Sequence, residues 1–443
     1  MTIRTTARWV VPIALLCSVC ACSGPSKPAE TAAPPAPSVS NKKTPPASLE
    51  SLNERARQRI DTKARVALDV RSAAAFKEIR GLDYSVKGRV PNYVTALATF
   101  PDVAQAIAGL AHAVVHEGPL APEIKLAAAL RVAQINNSAY TAAHVQRLLR
   151  TSERGRSLLR NLESGDLSSL READRVALTY ADALTNDTQA GSDAEFRAVQ
   201  QNYGDDEIVD LTAAVGFFNY LTRFVEALAL PVESWVLDPA ETPSGGEGQS
   251  DAGRVALLSD EEIAVMGSAA RTVTERPGAT SGLALPNSQR AMLRVPAISL
   301  AWTTLNTALK GINKLDPETA LQVSFAVSME NGCRYCTMHQ VVGLRRLGVS
   351  PAKLLAMKKD DASLTARERV AVDFARKLTS SPSELTNADY ESLRGEFGDD
   401  GALEVLLEAC RFAFMNRFTD GLRLPSEDGT VQAYRDVYGT DKL

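Results

Sequence analysis

The chain repeats its own pattern at an offset of 194 or 195 residues, and this duplication constrains the fold more than any other feature. Pro122-Glu123 recurs as Pro317-Glu318, and Tyr203-Gly204-Asp205-Asp206 recurs as Phe397-Gly398-Asp399-Asp400. A fixed internal period means that one structural unit occurs twice. The sequence therefore predicts two similar units in tandem.

Both units have the apolar spacing of helices, and strand signals are scarce. Apolar side chains recur every three or four positions over residues 207–230 and again over 403–418. Asp316-Pro317-Glu318 has the cap, proline and acid that begin a helix, and Asn331-Gly332 is typical of a helix end. We predict an all-α protein made of two similar helical units.

The N-terminal residues predict a targeting signal and not a part of the fold. Arg4 and Arg8 precede a short apolar run, and Val19-Cys20-Ala21-Cys22 resembles the bacterial lipoprotein cleavage box. That resemblance implies a signal peptide over residues 1–22, with Cys22 as the lipidated residue that holds the protein in the cell envelope, at the outer membrane or periplasmic face. The alternative is an ordinary signal peptide with incidental cysteines.

Shifts in composition predict the remaining boundaries. Residues 23–50 are rich in Pro, Ala and Ser, a composition that cannot bury enough apolar surface to fold, and predict a disordered tether. Residues 238–256 are dense in Pro, Gly, Ser and acids and predict a linker. The first helical repeat would then span 51–237 and the second 257–443.

Cys333, Cys336 and His339 form the pattern that indicates chemistry. Residues three positions apart on a helix lie on one face, so the two thiols are within reach of a disulfide. A helix N-terminus stabilises an anion, so we expect it to lower the pKa of Cys333. His339 is placed to accept a proton from Cys336 or to orient a water that does so, and Gln340 to hydrogen-bond the same thiol. Dithiol redox chemistry is the leading interpretation; a static disulfide and a metal site are the alternatives, the latter lacking further ligands.

The first repeat lacks these thiols. Ser138 and Thr141 occupy the positions of the two cysteines, while His144 keeps the position of the histidine. A hydroxyl is not ionised near pH 7 and cannot form a sulfur–sulfur bond. The first repeat is therefore predicted to be a degenerate, structural partner of the second.

Residues 132–136 and 331–336 resemble the carboxymuconolactone decarboxylase and alkylhydroperoxidase D superfamily, and residues 416–418 resemble its peroxidase-related branch. The resemblance implies an all-helical fold that oligomerises through packed pairs of units, and a tandem chain can supply such a pair within one polypeptide. It also implies thiol peroxidase activity in which Cys336 attacks the peroxide and Cys333 is the resolving thiol. No cofactor and no metal site is predicted.

The chain departs from the pattern of this superfamily at two positions. Its histidine lies four residues after the second cysteine, where this chain has Gln340, and Leu321 replaces its glutamate. Glu330, Tyr335 and Arg417 are the predicted supporting residues of the site. For Tyr335 the alternative is packing, and for Arg417 it is a structural ion pair.

We therefore predict an enzyme that takes a hydroperoxide as substrate and an external dithiol as reductant, and that forms a homo-oligomer. The net charge of −4 without a basic run argues against nucleic-acid binding, and membrane contact is expected only through the lipid anchor. The alternatives are a non-catalytic binding or scaffold lipoprotein with a structural disulfide, and a decarboxylase acting on a lactone. The thiol pair argues against the decarboxylase, since that branch does not depend on it.

Overall fold

The structure is a computed structural model that describes residues 45–60, 62–68, 90–188, 193–237, 258, 260–266, 285–359, 363–441 and 443. All of these residues lie within one compact unit, 41–443. The signal peptide with Cys22, most of the tether and the linker lie outside the described residues.

The described residues form helices and no strands, which confirms the predicted all-α class. An N-terminal helix, α1 (Leu49–Gln58), begins where the predicted tether ends. The first repeat contains α2 (Asn92–Thr95), α3 (Pro101–His116), α4 (Pro122–Ile135), α5 (Ala139–Leu149), α6 (Glu153–Ser164), α7 (Glu172–Asn186), α8 (Asp193–Asn202) and α9 (Asp205–Ala227), followed by a 3₁₀ turn, Ser234–Leu237. A short helix, α10 (Asp260–Val265), comes next.

The second repeat follows the same order. It contains α11 (Asn287–Met292), α12 (Pro296–Ile312), α13 (Pro317–Glu330), α14 (Arg334–Arg346), α15 (Pro351–Lys359), α16 (Ala366–Ser380), a 3₁₀ turn (Pro382–Glu384), α17 (Asn387–Gly421) and α18 (Asp428–Tyr438). Helix α17 corresponds to α8 and α9 together, because its backbone leaves the helical conformation at Gly398, where φ is 69°. The two repeats are thus confirmed as similar helical units in tandem.

The predicted helix boundaries at the thiols are confirmed, and their causes are local. Asp316 Oδ1 accepts the Thr319 backbone N–H at 2.9 Å, which caps α13 ahead of Pro317. At the other end, Asn331 closes α13 and Gly332 adopts a φ of 69°, a left-handed conformation that favours glycine. This turn lets α14 begin immediately and places Cys333 at its first boundary.

The two repeats pack against each other through corresponding helices, α9 on α17 and α3 on α12, and share one apolar core. Two buried arginines cross the interface reciprocally. Arg223 donates to the Thr379 carbonyl at 3.0 Å, and Arg417 donates to the Thr185 carbonyl at 3.2 Å. The tandem chain therefore forms an internal pair of units. Helix α9 is long and apolar enough to cross a bilayer, but it is wholly buried, as expected of a core helix.

Candidate active site

The thiol pair lies at the N-terminus of α14. Cys333 is the N-cap residue, and its Sγ accepts the backbone N–H of Cys336 at 3.3 Å. Its own backbone N–H donates to the Ser328 carbonyl at 2.8 Å, which ties the cap to the end of α13. Cys336 then lies one turn into the helix, with its side chain on the same side as that of Cys333.

One hydroxyl, that of Thr419 near the end of α17, contacts both sulfurs. Its Oγ1 is 3.3 Å from the Sγ of Cys333 and 3.3 Å from the Sγ of Cys336. Both thiols are free and buried, with 0% and 3% of their surfaces exposed. Because the two sulfurs share one small group, they are close enough for a disulfide to form after a modest rotation.

At Cys333, burial has a larger effect on the pKa of the thiol than the helix N-terminus has. Burial raises the pKa of this thiol well above its ordinary value, and the neighbouring Cys336 and Asp420 act in the same direction. The expectation of a lowered pKa at Cys333 was wrong, because a charge there would lose its hydration inside the packed core. Cys333 is accordingly a protonated thiol at neutral pH.

Asp420, directly after Thr419, is the ionisable group beside Cys333. Burial raises the pKa of Asp420 to about 7, although interactions with Thr188 and Cys333 oppose the shift. Within the part of the chain that the structure describes, its Oδ2 is buried and has no hydrogen-bond partner. A carboxyl group with this pKa can both accept and return a proton near neutral pH.

His339 faces a carboxylate and not a thiol. Its Nε2 is 2.8 Å from Glu427 Oε2, and the Tyr335 hydroxyl donates to Glu427 Oε1 at 3.1 Å. Burial by itself would raise the pKa of Glu427, but the His339 hydrogen bond and the Asn287 backbone N–H lower it to about 2. The hydrogen bonds of His339 among the described residues do not include Cys336, so a direct proton transfer between the two is not prepared in this arrangement.

The first repeat contains the same arrangement without any thiol. His144 Nε2 lies 2.9 Å from Glu233 Oε2, and the Tyr140 hydroxyl donates to Glu233 Oε1 at 2.8 Å. This pair is more deeply buried than its counterpart. The same histidine, tyrosine and glutamate contacts therefore occur in a repeat that has no thiols. In both repeats they join the segment after the long helix (α9 or α17) to the helix that starts at the cysteine or serine position (α14 or α5).

The other predicted supporting residues lie around the site and not at the sulfurs. Gln340 is buried, and its Oε1 makes no hydrogen bond to any described residue, so the predicted bond to Cys336 is not formed. The Glu330 side chain is exposed at the end of α13, and Arg376 is its charged neighbour. Arg417 is buried, bridges the two repeats and interacts electrostatically with Asp420 and Cys333. Leu321 packs against α14 at Gly343.

Sequence reasoning missed Thr419, Asp420 and Glu427. Two of them had a signal in the duplication, because Glu226 and Glu233 stand 194 positions before Asp420 and Glu427. Thr419 had no such signal, since the first repeat has Val225 at that position.

The remaining candidates for a ligand site are structural. His112 and His116 lie with ring centroids 5.1 Å apart, and His112 Nε2 is 3.4 Å from Glu117. Cys410 is a buried residue in the core of α17. Across the described ranges, no group of three or more His, Cys, Asp or Glu side chains is arranged to hold a metal ion.

A model of the carboxymuconolactone decarboxylase family matches this chain twice, at residues 101–183 and 296–377. Each match runs from the start of α3 or α12 into α7 or α16, and the thiols fall within the second. Crystal structures of the debrominase Bmp8 are also similar. A cysteine-to-alanine variant of Bmp8 in complex with 2,3,4-tribromopyrrole is 19% identical, with a TM-score of 0.37 over 43% of this chain and 100% of that one. The apo form is 20% identical, with a TM-score of 0.36 over 41% and 97%. No curated protein matches the sequence.

Proposed function

We propose that this chain, which contains two carboxymuconolactone decarboxylase-type domains in tandem, is a thiol-dependent peroxidase. The Cys336 sulfur attacks the terminal oxygen of a hydroperoxide and breaks the O–O bond. The departing alkoxide takes up the proton that the Cys336 thiol gives up and leaves as an alcohol, and Cys336 keeps the terminal OH as a sulfenic acid. The Cys333 thiol then displaces hydroxide, which leaves as water with the Cys333 proton, and a disulfide forms. An external dithiol reduces that disulfide and is itself oxidised.

The observation that carries this proposal is the pair of free sulfurs on the Thr419 hydroxyl, each at 3.3 Å. A structural disulfide would join the two sulfurs directly. A dithiol cycle instead needs two free thiols that are held close to each other, and the Thr419 hydroxyl holds them in this way. Cys333 suits the resolving role because burial keeps it protonated and completely covered until its partner is oxidised. Asp420 stands beside it as a group that can take its proton.

The test is hydroperoxide consumption by the reduced full chain with an excess of dithiothreitol. Cys336→Ser should abolish turnover, while Cys333→Ser should retain one stoichiometric reduction of peroxide and then stop. Cys410→Ser is the matched control, because this third thiol is buried elsewhere in the core and should leave turnover unchanged. Unchanged turnover in Cys336→Ser would exclude the assigned role.

The expected partners follow from this chemistry. They are a hydroperoxide, an external dithiol reductant and further copies of the same chain, with no nucleic acid.

We also propose that lipidation of Cys22 anchors the protein in the bacterial envelope. Globomycin, which blocks lipoprotein signal cleavage, should then leave the precursor uncleaved, whereas cleavage at another position would contradict the anchor.

A second candidate function is a non-catalytic helical scaffold. The histidine, tyrosine and glutamate that recur in the thiol-free repeat favour it, because they indicate that this region has a structural role in both copies. A scaffold would hold Cys333 and Cys336 as a disulfide that mild reductants leave intact. Thiol labelling across a redox titration separates the two functions, since a peroxidase must show a reversible two-electron transition.

A further inference from the structure

A cavity of about 310 Å³ lies at the junction of the two repeats, at the C-terminal end of α17. The first repeat supplies an aromatic and aliphatic wall from α7 and α8, which includes Tyr180, Leu184 and Phe196. The second repeat supplies the charged groups, which are Asp420, Arg334 and Arg423. Among the described residues, the lining of this cavity includes neither thiol, so it is separate from the sulfurs.

The other junction of the repeats contains a filled counterpart of this cavity. Glu226 and Ala227 stand 194 positions before the cavity residues Asp420 and Gly421. At that junction the guanidinium of Arg59, from the segment after α1, donates to the two carboxylate oxygens of Glu226 at 2.8 and 2.7 Å. A guanidinium that belongs to the chain itself therefore neutralises the carboxylate of the first repeat.

A second arginine of the same segment completes the counterpart. Arg65 donates to the Ala227 carbonyl at 2.7 Å and to the Leu385 carbonyl at 2.8 Å. It also interacts electrostatically with Tyr390, which stands 194 positions after the cavity residue Phe196. The segment after α1 thus lies between the end of a long helix and the other repeat, which is the relation that the cavity has at the second junction.

The carboxyl group of the second repeat keeps one oxygen unused. Asp420 Oδ2 is buried and, in the parts of the chain that the structure describes, accepts no hydrogen bond. Its charged neighbour Arg417 donates instead to the Ala413 and Thr185 carbonyls. A buried acceptor without a partner is costly, and an occupant with an N–H donor removes that cost. The C-terminal end of α17 also favours a positive charge here.

The groups at the outer part of the cavity have the opposite charge. The side chain of Arg334 is 42% exposed, and Arg423 is exposed as well. Arg334 is fixed there by its hydrogen bond to the Asp441 carbonyl at 2.8 Å. Arg423 corresponds to Ala229 of the first repeat, and both have a positive φ, so the backbone at this place does not require an arginine. The two guanidinium groups favour an anionic group of the occupant on the side nearer to water.

We propose that this cavity binds a small ω-guanidino carboxylate, with its guanidinium on Asp420, its methylene chain against the wall from the first repeat, and its carboxylate beside Arg423. The guanidinium of the ligand then takes the position that Arg59 has at the first junction. The volume is at the small end of ligand sites, which suits a body of a few methylene groups. This inference does not rest on the proposed peroxidase function, because no sulfur takes part in the binding.

The direct test is calorimetric titration of the reduced full chain with 4-guanidinobutyrate at pH 8, where a carboxyl group with a pKa of about 7 is ionised. We expect saturable binding at millimolar concentrations or below. Butyrate, which lacks the guanidinium, should bind about tenfold or more weakly. Propylguanidine, which lacks the carboxylate, should bind about twofold to fivefold more weakly, because its missing partners are exposed. Butyrate binding as tightly as 4-guanidinobutyrate, or no binding of 4-guanidinobutyrate, would overturn the proposal.

Charge variants locate the ligand at the second junction. Asp420→Asn should weaken the binding of 4-guanidinobutyrate about tenfold or more. Arg423→Asn should weaken it about twofold to fivefold, and asparagine tolerates the φ of 48° at this position. Glu226→Gln is the matched control, because the same change is made at the junction that Arg59 fills, and it should keep the affinity within about twofold. Equal losses in Asp420→Asn and Glu226→Gln would contradict the assignment.

Two further variants separate the cavity from the thiols. Ala183 lines the cavity, and Ala183→Phe should fill it and weaken binding about tenfold or more. Cys336→Ser should bind 4-guanidinobutyrate as the wild type does, whether or not the protein consumes peroxide. Loss of binding in Cys336→Ser together with full binding in Ala183→Phe would place the ligand at the sulfurs and overturn the proposal.

Discussion

At the scale of single residues, the geometry of the thiol pair depends on Thr419. Its hydroxyl donates its only proton to the Met415 carbonyl at 2.9 Å. The same oxygen is within hydrogen-bonding distance of both sulfurs, so one hydroxyl fixes the position of the two thiols. A valine at the same place in the first repeat, Val225, shows that the helix pairing itself does not need this hydroxyl.

Thr419→Val should lower peroxide turnover by about tenfold or more, because the two sulfurs lose the group that positions them. The free energy of unfolding should fall by only about 1 kcal/mol, since valine has a similar shape and the lost hydrogen bonds are few. Steady-state turnover and urea denaturation measure the two effects. Val225→Thr is the matched control and should not change turnover; wild-type turnover in Thr419→Val would remove Thr419 from the mechanism.

Asp420→Asn should stabilise the protein at pH 8 and have little effect at pH 4. The folded pKa of Asp420 is about 7 and its ordinary value is 3.8, so the folded state binds more protons between these values. Stability contributed by this group therefore falls as the pH rises through that window, and an amide escapes the loss. Urea midpoints at both pH values measure the difference.

Glu226→Gln serves as the control for Asp420→Asn. Glu226 is paired with Arg59 at 2.7 Å, so its neutralisation should destabilise the protein at pH 8 and not stabilise it. If Asp420→Asn and Glu226→Gln shifted the urea midpoint in the same direction at pH 8, the two carboxylates would not differ as described.

At the scale of helices, the segment after each long helix is joined to the thiol helix or its counterpart by a histidine–glutamate pair. His144 and Glu233 join the first, and their side chains are 1% and 7% exposed. His339 and Glu427 join the second, and theirs are 34% and 31% exposed. The same histidine–glutamate contact is thus buried in the first repeat and partly exposed in the second. The effect of burial on its strength can therefore be compared within one protein.

His144→Ala should destabilise the protein by about 3 kcal/mol, because it removes the ion-pair partner of the buried Glu233 carboxylate, which keeps only hydrogen bonds from neutral groups. His339→Ala should cost about 1 kcal/mol or less, since water can solvate Glu427. Double-mutant cycles with Glu233→Gln and Glu427→Gln measure the two coupling energies. A coupling at the second pair as large as at the first would show that exposure does not control it.

At the scale of the whole molecule, the two repeats fold as one body around α9 and α17. Gly216 of α9 lies against Phe414 of α17, and a Cβ built on this glycine would be 3.2 Å from the phenylalanine ring. The second repeat has Cys410 at the corresponding position. The repeat without thiols therefore supplies one side of a closely packed interface between α9 and α17.

Gly216→Val should lower stability by about 1–3 kcal/mol, because the added carbons overpack the interface between repeats. Gly109 is the control: it is an exposed glycine inside α3 with nothing within 4 Å of a built Cβ. Gly109→Ala should stabilise the protein by about 0.5–1 kcal/mol, through the helix preference for alanine. Thermal denaturation compares the two, and equal midpoints would contradict tight packing at Gly216.

Patterns within a few residues of the sequence were enough to predict the helix end and helix start at the thiols, and to select Cys333 and Cys336 as the candidate reactive pair. Asp316-Pro317 begins a helix and Asn331-Gly332 ends one because of cap and backbone preferences that act within a few residues. The main hydrogen-bond partner of His339 could not be found from such local patterns. Its partner, Glu427, is 88 positions away, and spacing along one helix carries no information about a chain segment that returns so much later.

By itself, the sequence determined the all-α class, the tandem repeat and the place of Cys333 and Cys336 at a helix start, since helix periodicity, capping and duplication are properties of neighbouring or equally spaced residues. Only the tertiary structure decided which groups surround the sulfurs. Thr419 and Asp420 arrive there through the packing of α17 against α14. Burial, which raises the pKa of Cys333, is likewise a property of the packed whole and not of the helix that carries the thiol.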